Sequence, residues 1–198
     1  MAACSISTEQ ESKSMCKASP KSDRILKCSY PSVVDRYFRR GYKIDVNGRP
    51  GEDLCILQHS NKVIIVTIAD SHPLIKNNKT IKNVTFQVTK NLNRMDNKVS
   101  GKGKKGGQWV NETGPLCIIT CDDDSQYTIY SCVNGKLVEV NEKLLSVPNL
   151  INEKPSTDGF ISIILPKFGN SDPQMEKLLT KDEYEKEILN RAQEDKNS

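Results

Sequence analysis

Cys117, Cys121 and Cys132 are the first side chains to weigh for chemistry, because clustered thiols can bind a metal or attack a substrate. Along one strand, Cys117 and Cys121 stand about 13 Å apart at ~3.3 Å per residue, too far to share one zinc. If a hairpin tip lies near Asp123 and Asp124, Cys121 faces a residue close to Gln126 or Tyr127, several positions before Cys132. The third thiol therefore completes no site, and core packing or half-exposed thiols are expected instead. His59 and His72 are the two imidazoles available as bases near neutral pH. Asp70, Ser71 and His72 supply the residue types of a hydrolytic triad. Adjacent residues point in different directions, however, and cannot form its relay. His59 falls in a polar turn. No catalytic set is predicted, so the chain reads as a non-enzyme.

Charge is more informative. Asp122, Asp123 and Asp124 make a local negative field but lack the spaced ligands, central Gly and terminal Glu of a calcium loop. A solvated turn is the expectation there. Lys98, Lys102, Lys104 and Lys105 place four ammonium groups within eight residues, separated by small residues and followed by Trp109. Mobile lysines can neutralise phosphates or an acidic protein surface, and Trp109 can add a stacking surface or fill the core. Arg36, Arg39 and Arg40 are a second basic group, assigned to the same partner-binding role. Lys17, Lys21, Arg24 and Lys27, beside Ser19-Pro20, form a basic scatter with a phosphorylation signal, resembling a weak nuclear-import patch.

The elements that must position these groups are mainly β. Pro31 to Arg40 is predicted to be a short helix stopped by Gly41, with Val34, Tyr37 and Phe38 on one face. Asp53 to Ile68 reads as a hairpin about His59–Lys62, its second strand apolar on both faces. Ile81 to Val88 sets Val84, Phe86 and Val88 on one side of a half-buried strand. Strands follow over Leu116–Thr120, Tyr127–Val133 and Lys136–Val140, the last two joined tightly through Asn134-Gly135. Thr180 to Glu183 is a capping box opening a helix of ten to twelve residues, with Tyr184, Ile188, Leu189 and Ala192 as its apolar stripe and Leu179 stapling onto Tyr184.

At 198 residues the chain suits one domain with polar ends. The expected division is a disordered tail over 1–29, a β domain over 30–168, and a linker, helix and tail over 169–198. A net charge of +4, from 29 basic and 25 acidic residues, is too balanced for nucleic-acid binding by bulk charge, so any such binding must be local. Without an apolar run of membrane-spanning length or a secretory h-region, no membrane insertion is expected. The seven cysteines then read as reduced thiols of an intracellular protein. Triplets at Asn78, Asn83 and Asn111 follow from asparagine content and are not read as glycosylation sites.

The run from Thr128 to Leu165 resembles the second half of the glycine-cleavage H-protein and lipoyl-domain architecture. Its Y-S-P-V-x-G-x-V-x-E-V-N-E pattern is met at Tyr130, Ser131, Val133, Gly135, Glu139, Val140, Asn141 and Glu142, with Cys132 in place of Pro. That family attaches its lipoyl arm to a lysine six residues before the Tyr, and Asp124 occupies that position here. The resemblance thus implies a barrel-sandwich hybrid, or single hybrid motif, without a cofactor, unless another lysine near the tip is modified.

A broader resemblance, from about Val34 to Tyr184, is to the Abitram (Simiate) family. Its blocks are Val34-Asp35-Arg36-Tyr37-Phe38, Cys55 to Asn61, Ser71-His72-Pro73, Asn97 to Lys102, Pro115-Leu116-Cys117, Glu153 to Thr157 and Leu165-Pro166-Lys167-Phe168. Gly103, Gly106 and Gly107 depart from it, standing where larger residues are expected. This resemblance implies an H-protein-like fold with a short N-terminal and a C-terminal helix. It also implies binding to monomeric or filamentous actin, control of polymerisation and filopodia, and no small-molecule substrate. Implied locations are nuclear speckles and cytoplasm, including lamellipodia, growth cones and dendrites, with a link to transcription. The alternative is a nuclear adaptor that binds nucleic acid or a transcription or RNA-processing complex through the basic loop.

Overall fold

The computed structural model describes residues 31–197, with side chains through 194. The predicted N-terminal tail, its basic scatter and Ser19-Pro20 lie outside the described residues. Helix α1 spans Val33–Tyr37, followed by β1 (Phe38–Lys43), β2 (Leu54–His59), β3 (Ile64–Ile68) and the one-turn helix α2 (Pro73–Lys76). Then come β4 (Ile81–Thr85), β5 (Gln87–Thr89), β6 (Leu92–Asn93), β7 (Trp109–Val110), β8 (Pro115–Cys121), β9 (Gln126–Tyr130) and β10 (Gly135–Val140). The short helices α3 (Lys143–Ser146) and α4 (Leu150–Glu153), strand β11 (Ser162–Leu165), and helices α5 (Ser171–Glu176) and α6 (Lys181–Asn197) complete the order.

Among the described residues the strands form a six-stranded sheet in the order β1-β2-β3-β11-β10-β7, a three-stranded sheet β4-β8-β9, and the small ribbon β5-β6. All paired strands are antiparallel. Inward residues of the two larger sheets share one core: Ile56, Ile64, Val66, Leu137 and Ile164 meet Val84, Leu116, Ile119 and Ile129. Ile64, Val66, Val84 and Phe86 are all buried, as the apolar run at β3 and the Val84/Phe86 alternation predict, but the single strand predicted over Ile81 to Val88 is broken at Phe86 into β4, which pairs with β8, and β5, which pairs with β6.

Two further local predictions are overturned. The first helix ends at Tyr37, and Phe38 to Lys43 pair in register with β2, placing Arg39, Arg40 and Gly41 on a strand. Gly41 is therefore no helix stop: it sits opposite Ile56. Tertiary pairing outweighs the local helical signal. Asn134-Gly135 likewise does not close a hairpin. Strand β9 belongs to the three-stranded sheet, whereas β10 pairs with β11 and β7. The reason for glycine is space: a Cβ at Gly135 would lie 2.6 Å from Ile164 Cγ2 and 2.8 Å from the Leu165 carbonyl oxygen. Gly135→Ala should destabilise the domain by about 2 kcal/mol, within the range for overpacking, read as a lower denaturant midpoint at unchanged slope.

The C-terminal helix has 17 residues, longer than predicted. Its capping box is formed as expected. The Thr180 N–H donates to Glu183 Oε2 at 2.8 Å, and the Glu183 N–H to Thr180 Oγ1 at 3.4 Å. The Tyr184 ring stacks on Tyr42 at 4.1 Å between centroids, and Leu179 packs in the same cluster. The inward face differs from the predicted stripe, however: Leu189 and Ala192 are exposed, and Arg191 docks in their place. Arg191 pairs with the fully buried Asp53 at 2.9 Å and with Asp45 at 3.0 Å. Asp53 also accepts from Ser71 Oγ at 2.8 Å, Tyr184 Oη at 3.2 Å and the Asp45 N–H at 2.9 Å. Residues beyond Phe168 join the main core through Met175 and Leu178.

Candidate partner-binding surface

The lysine loop joins β6 to β7 on a stem that holds it firmly. Buried Arg94 donates through Nε to the Pro115 carbonyl at 3.0 Å and through Nη1 to Gln108 Oε1 at 2.9 Å. Asn97 Nδ2 donates to the Leu137 carbonyl at 3.0 Å, and its Oδ1 accepts from the Gln108 N–H at 2.7 Å. Sequence reasoning missed this stem, because its polar residues acquire meaning only once β10 lies beside them. Across the loop, Ser100 and Lys105 exchange backbone hydrogen bonds of 2.9 Å. Lys104 takes a left-handed conformation at φ 49°, and the glycines after it allow close packing, since a Cβ at Gly106 would lie 2.6 Å from the Lys98 carbonyl oxygen and one at Gly107 2.9 Å from that of Leu137.

Lys98, Lys102 and Lys105 are exposed, and Lys104 is half-buried. Among the described residues none of the four forms an ion pair. Lys136 on β10 joins them, its Nζ donating to the Gly103 carbonyl at 3.4 Å. Trp109 is 51% exposed, so it presents a surface and does not fill the core. The arginines stand apart. Strand β1, which carries Arg39 and Arg40, lies at the sheet edge opposite β7. Arg40 is tied to Asp35 at 3.1 Å and to Ser156 Oγ at 3.2 Å. Arg36 and Arg39 are exposed.

At the carrier-type hairpin, the Asp124 N–H closes a turn onto the Cys121 carbonyl at 3.0 Å, with Asp124 at φ 57°. The acidic tip is partly neutralised from β4 and the segment before it. Lys79 lies 2.6 Å from Asp123 and Lys82 lies 3.8 Å from Asp124. The hydrogen bond from Lys79, then those from Ser125, pull the Asp123 carboxyl down to about 2. Burial pushes the Cys55 thiol up to about 11 and Cys132 to about 12, and it raises Cys117 and Cys121 as well. These cysteines are thiols at neutral pH and poor nucleophiles.

Ser71 and His72 diverge, as their adjacency predicts. Ser71 turns to Asp53, whereas His72 is fully buried against the Tyr127 ring at 5.3 Å. His72 Nδ1 accepts the Leu74 N–H at 3.2 Å, capping α2, and Nε2 has no hydrogen-bond partner among the described residues. Burial lowers its pKa from 6.5 to about 4, opposed in part by Asp53. The unfolded chain thus binds the proton more readily between these values, and stability should fall as pH drops from 6.5 towards 4. His72→Asn keeps a cap acceptor without the titration. Denaturant midpoints at pH 7 and pH 5 should separate less in this variant than in the parent.

Comparison with known proteins follows the same outline. The family model for the Glycine cleavage H-protein, a carrier-type domain, matches residues 99–191, which take in Lys102, Lys104 and Lys105, the acidic hairpin and Arg191. The crystal structure of a glycine cleavage system H protein from Mycobacterium marinum is similar in fold, with TM-score 0.52 and 16% identity over 76% of this chain and 96% of that one. The chain is thus mainly β and H-protein-like. Protein Abitram of Xenopus tropicalis is 55% identical over 82% of this chain and 89% of its own length. Protein Abitram of Homo sapiens is 51% identical over 81% and 89%, and that of Drosophila melanogaster 38% identical over 80% and 71%. With identities of this size over most of both chains, the chain belongs to the Abitram family.

Proposed function

We propose that this protein is a non-enzymatic actin-binding protein that regulates actin polymerisation and the dynamics of filopodia and other projections. It acts in the cytoplasm and in the nucleus, including speckles, where it contributes to transcription. The family resemblance supports actin as the partner. The observation that supports the surface is the lysine loop: ammonium groups free of ion pairs among the described residues, held on a hydrogen-bonded stem beside exposed Trp109. A preorganised cationic loop loses little freedom on meeting an acidic protein surface, and its charge steers the encounter. Arg36 and Arg39, at the far edge of the sheet, contribute less. Pelleting with filamentous actin at low ionic strength should give saturable binding that weakens with added salt. No pelleting at low salt would remove actin from this reading. The same lysines and Trp109 also favour nucleic acid as the partner, which a filter-binding titration separates by its steep log-salt slope.

A further inference from the structure

The outer face of the six-stranded sheet is covered on one half. Over β1 and β2, residues Val34 of α1 and Tyr184 and Ile188 of α6 pack on Tyr42, Cys55 and Leu57. The register continues that face across the other half. Ile65 stands beside Ile163, and one row along, Leu165, Lys136 and Trp109 stand side by side. Directly opposed residues share a face, and Val110, Leu137 and Ile164 fill the inner side. Ile163, Leu165 and Val138 remain half-exposed, and Trp109 is 51% exposed. The strip runs into a groove of ≈ 430 Å³ at Leu165, Lys167 and fully exposed Phe168.

Two properties identify an occupant. From Leu165 to Trp109 the strip crosses two inter-strand spacings, roughly 10 Å, which matches the diameter of one α-helix. Its rim is cationic: Lys98, Lys102, Lys105, Lys136 and Lys167 lack carboxylate partners among the described residues, whereas Glu139 is an exposed carboxylate on the face and Asp172, which lines the groove, is already paired with Lys62.

We propose that this strip is the docking face for an acidic amphipathic helix of a protein partner, with Trp109 as the anchor. It deepens the reading of the lysine loop as a contact for an acidic protein surface and rests on it, though not on that protein being actin. Leucine-type side chains of the helix cover Val138, Ile163 and Leu165, and its carboxylates meet the lysine rim. Exposed aromatics that become fully buried carry much of the energy of such interfaces.

Trp109 is the single tryptophan of the chain, so its emission reports the site directly. The probe is a synthetic helix without Trp or Tyr, with Leu on one face and Glu elsewhere, beside a control of the same composition with Leu scrambled off the face. A saturable blue shift and acrylamide protection are expected for the first, with at least tenfold weaker binding of the scrambled control. Absence of a saturable shift, or equal binding of both peptides, overturns the docking face. So does a larger shift with a single-stranded oligonucleotide, which would assign the strip to nucleic acid. In a second arm, Trp109→Ala should weaken actin pelleting about thirtyfold with an unchanged log-salt slope, because no charge is removed. If the parent pellets and Trp109→Ala pellets equally well, the anchor is wrong and the actin reading stands. If the parent fails to pellet while the peptide binds, actin is the wrong acidic partner and the docking face stands.

Discussion

Arg191→Ala is expected to lower domain stability by about 3 kcal/mol, the lower end of the range for stripping one partner from a buried ion pair. Asp53 is fully buried, so its carboxylate cannot exchange a lost guanidinium for water. The figure sits at the lower end for two reasons. Asp53 keeps the Ser71, Tyr184 and Asp45 donors, and the Arg191 side chain is already 25% exposed. For a chain of this size the melting temperature should fall by roughly 6–12 °C. The loss should concentrate in α6, because Arg191 joins Tyr184 and Ile188 in attaching it to the sheet, and amide exchange there should accelerate before exchange in β2 and β3. Arg191→Lys keeps the charge but cannot reach Asp53 and Asp45 with one planar fork, so it should fall between parent and alanine. A melting temperature within 2 °C of the parent would show that the latch contributes little.

The second large effect belongs to the loop. Replacing Lys102, Lys104 and Lys105 together by Glu changes net charge from +4 to −2, three side chains each moving from +1 to −1. The stem formed by Arg94, Asn97 and Gln108 is untouched and none of the three lysines forms an ion pair among the described residues, so the melting temperature should stay close to that of the parent. Affinity for filamentous actin should fall by at least about a hundredfold at low salt, since removed attraction is replaced by repulsion against an acidic surface. Arg36→Glu with Arg39→Glu, at the opposite sheet edge, should change it less than about threefold, the ordinary effect of a charge outside an interface.

Much of the architecture was legible because its signals are local. The apolar run through Ile64 to Ile68, the alternation about Val84 and Phe86, and the Thr180–Glu183 box each encode their own element. Phe38 to Gly41 misled because Pro31 and the spacing of Val34, Tyr37 and Phe38 favour a helix, while the pairing that decides the matter comes from β2, beyond the next loop. Asn134-Gly135 misled for a related reason. Its composition suits a hairpin, yet the glycine answers to the backbone of β11, which sequence proximity does not reveal. The four lysines of the candidate surface were visible as composition. Their rigid stem, their neighbour Lys136 and the apolar strip beside Trp109 depend on β7, β10 and β11 lying together, and a helix stripe that includes Arg191 cannot be told from a polar face until Asp53 is found beneath it.

The most direct test is co-sedimentation of the purified parent with filamentous actin across a salt series, beside the Lys102, Lys104 and Lys105 to Glu variant at matched ionic strength. Saturable binding by the parent that weakens with salt, and its loss in a variant that melts normally, is the predicted result. Equal binding by both proteins, or salt-independent binding by the parent, would contradict the assignment of the lysine loop as the actin contact.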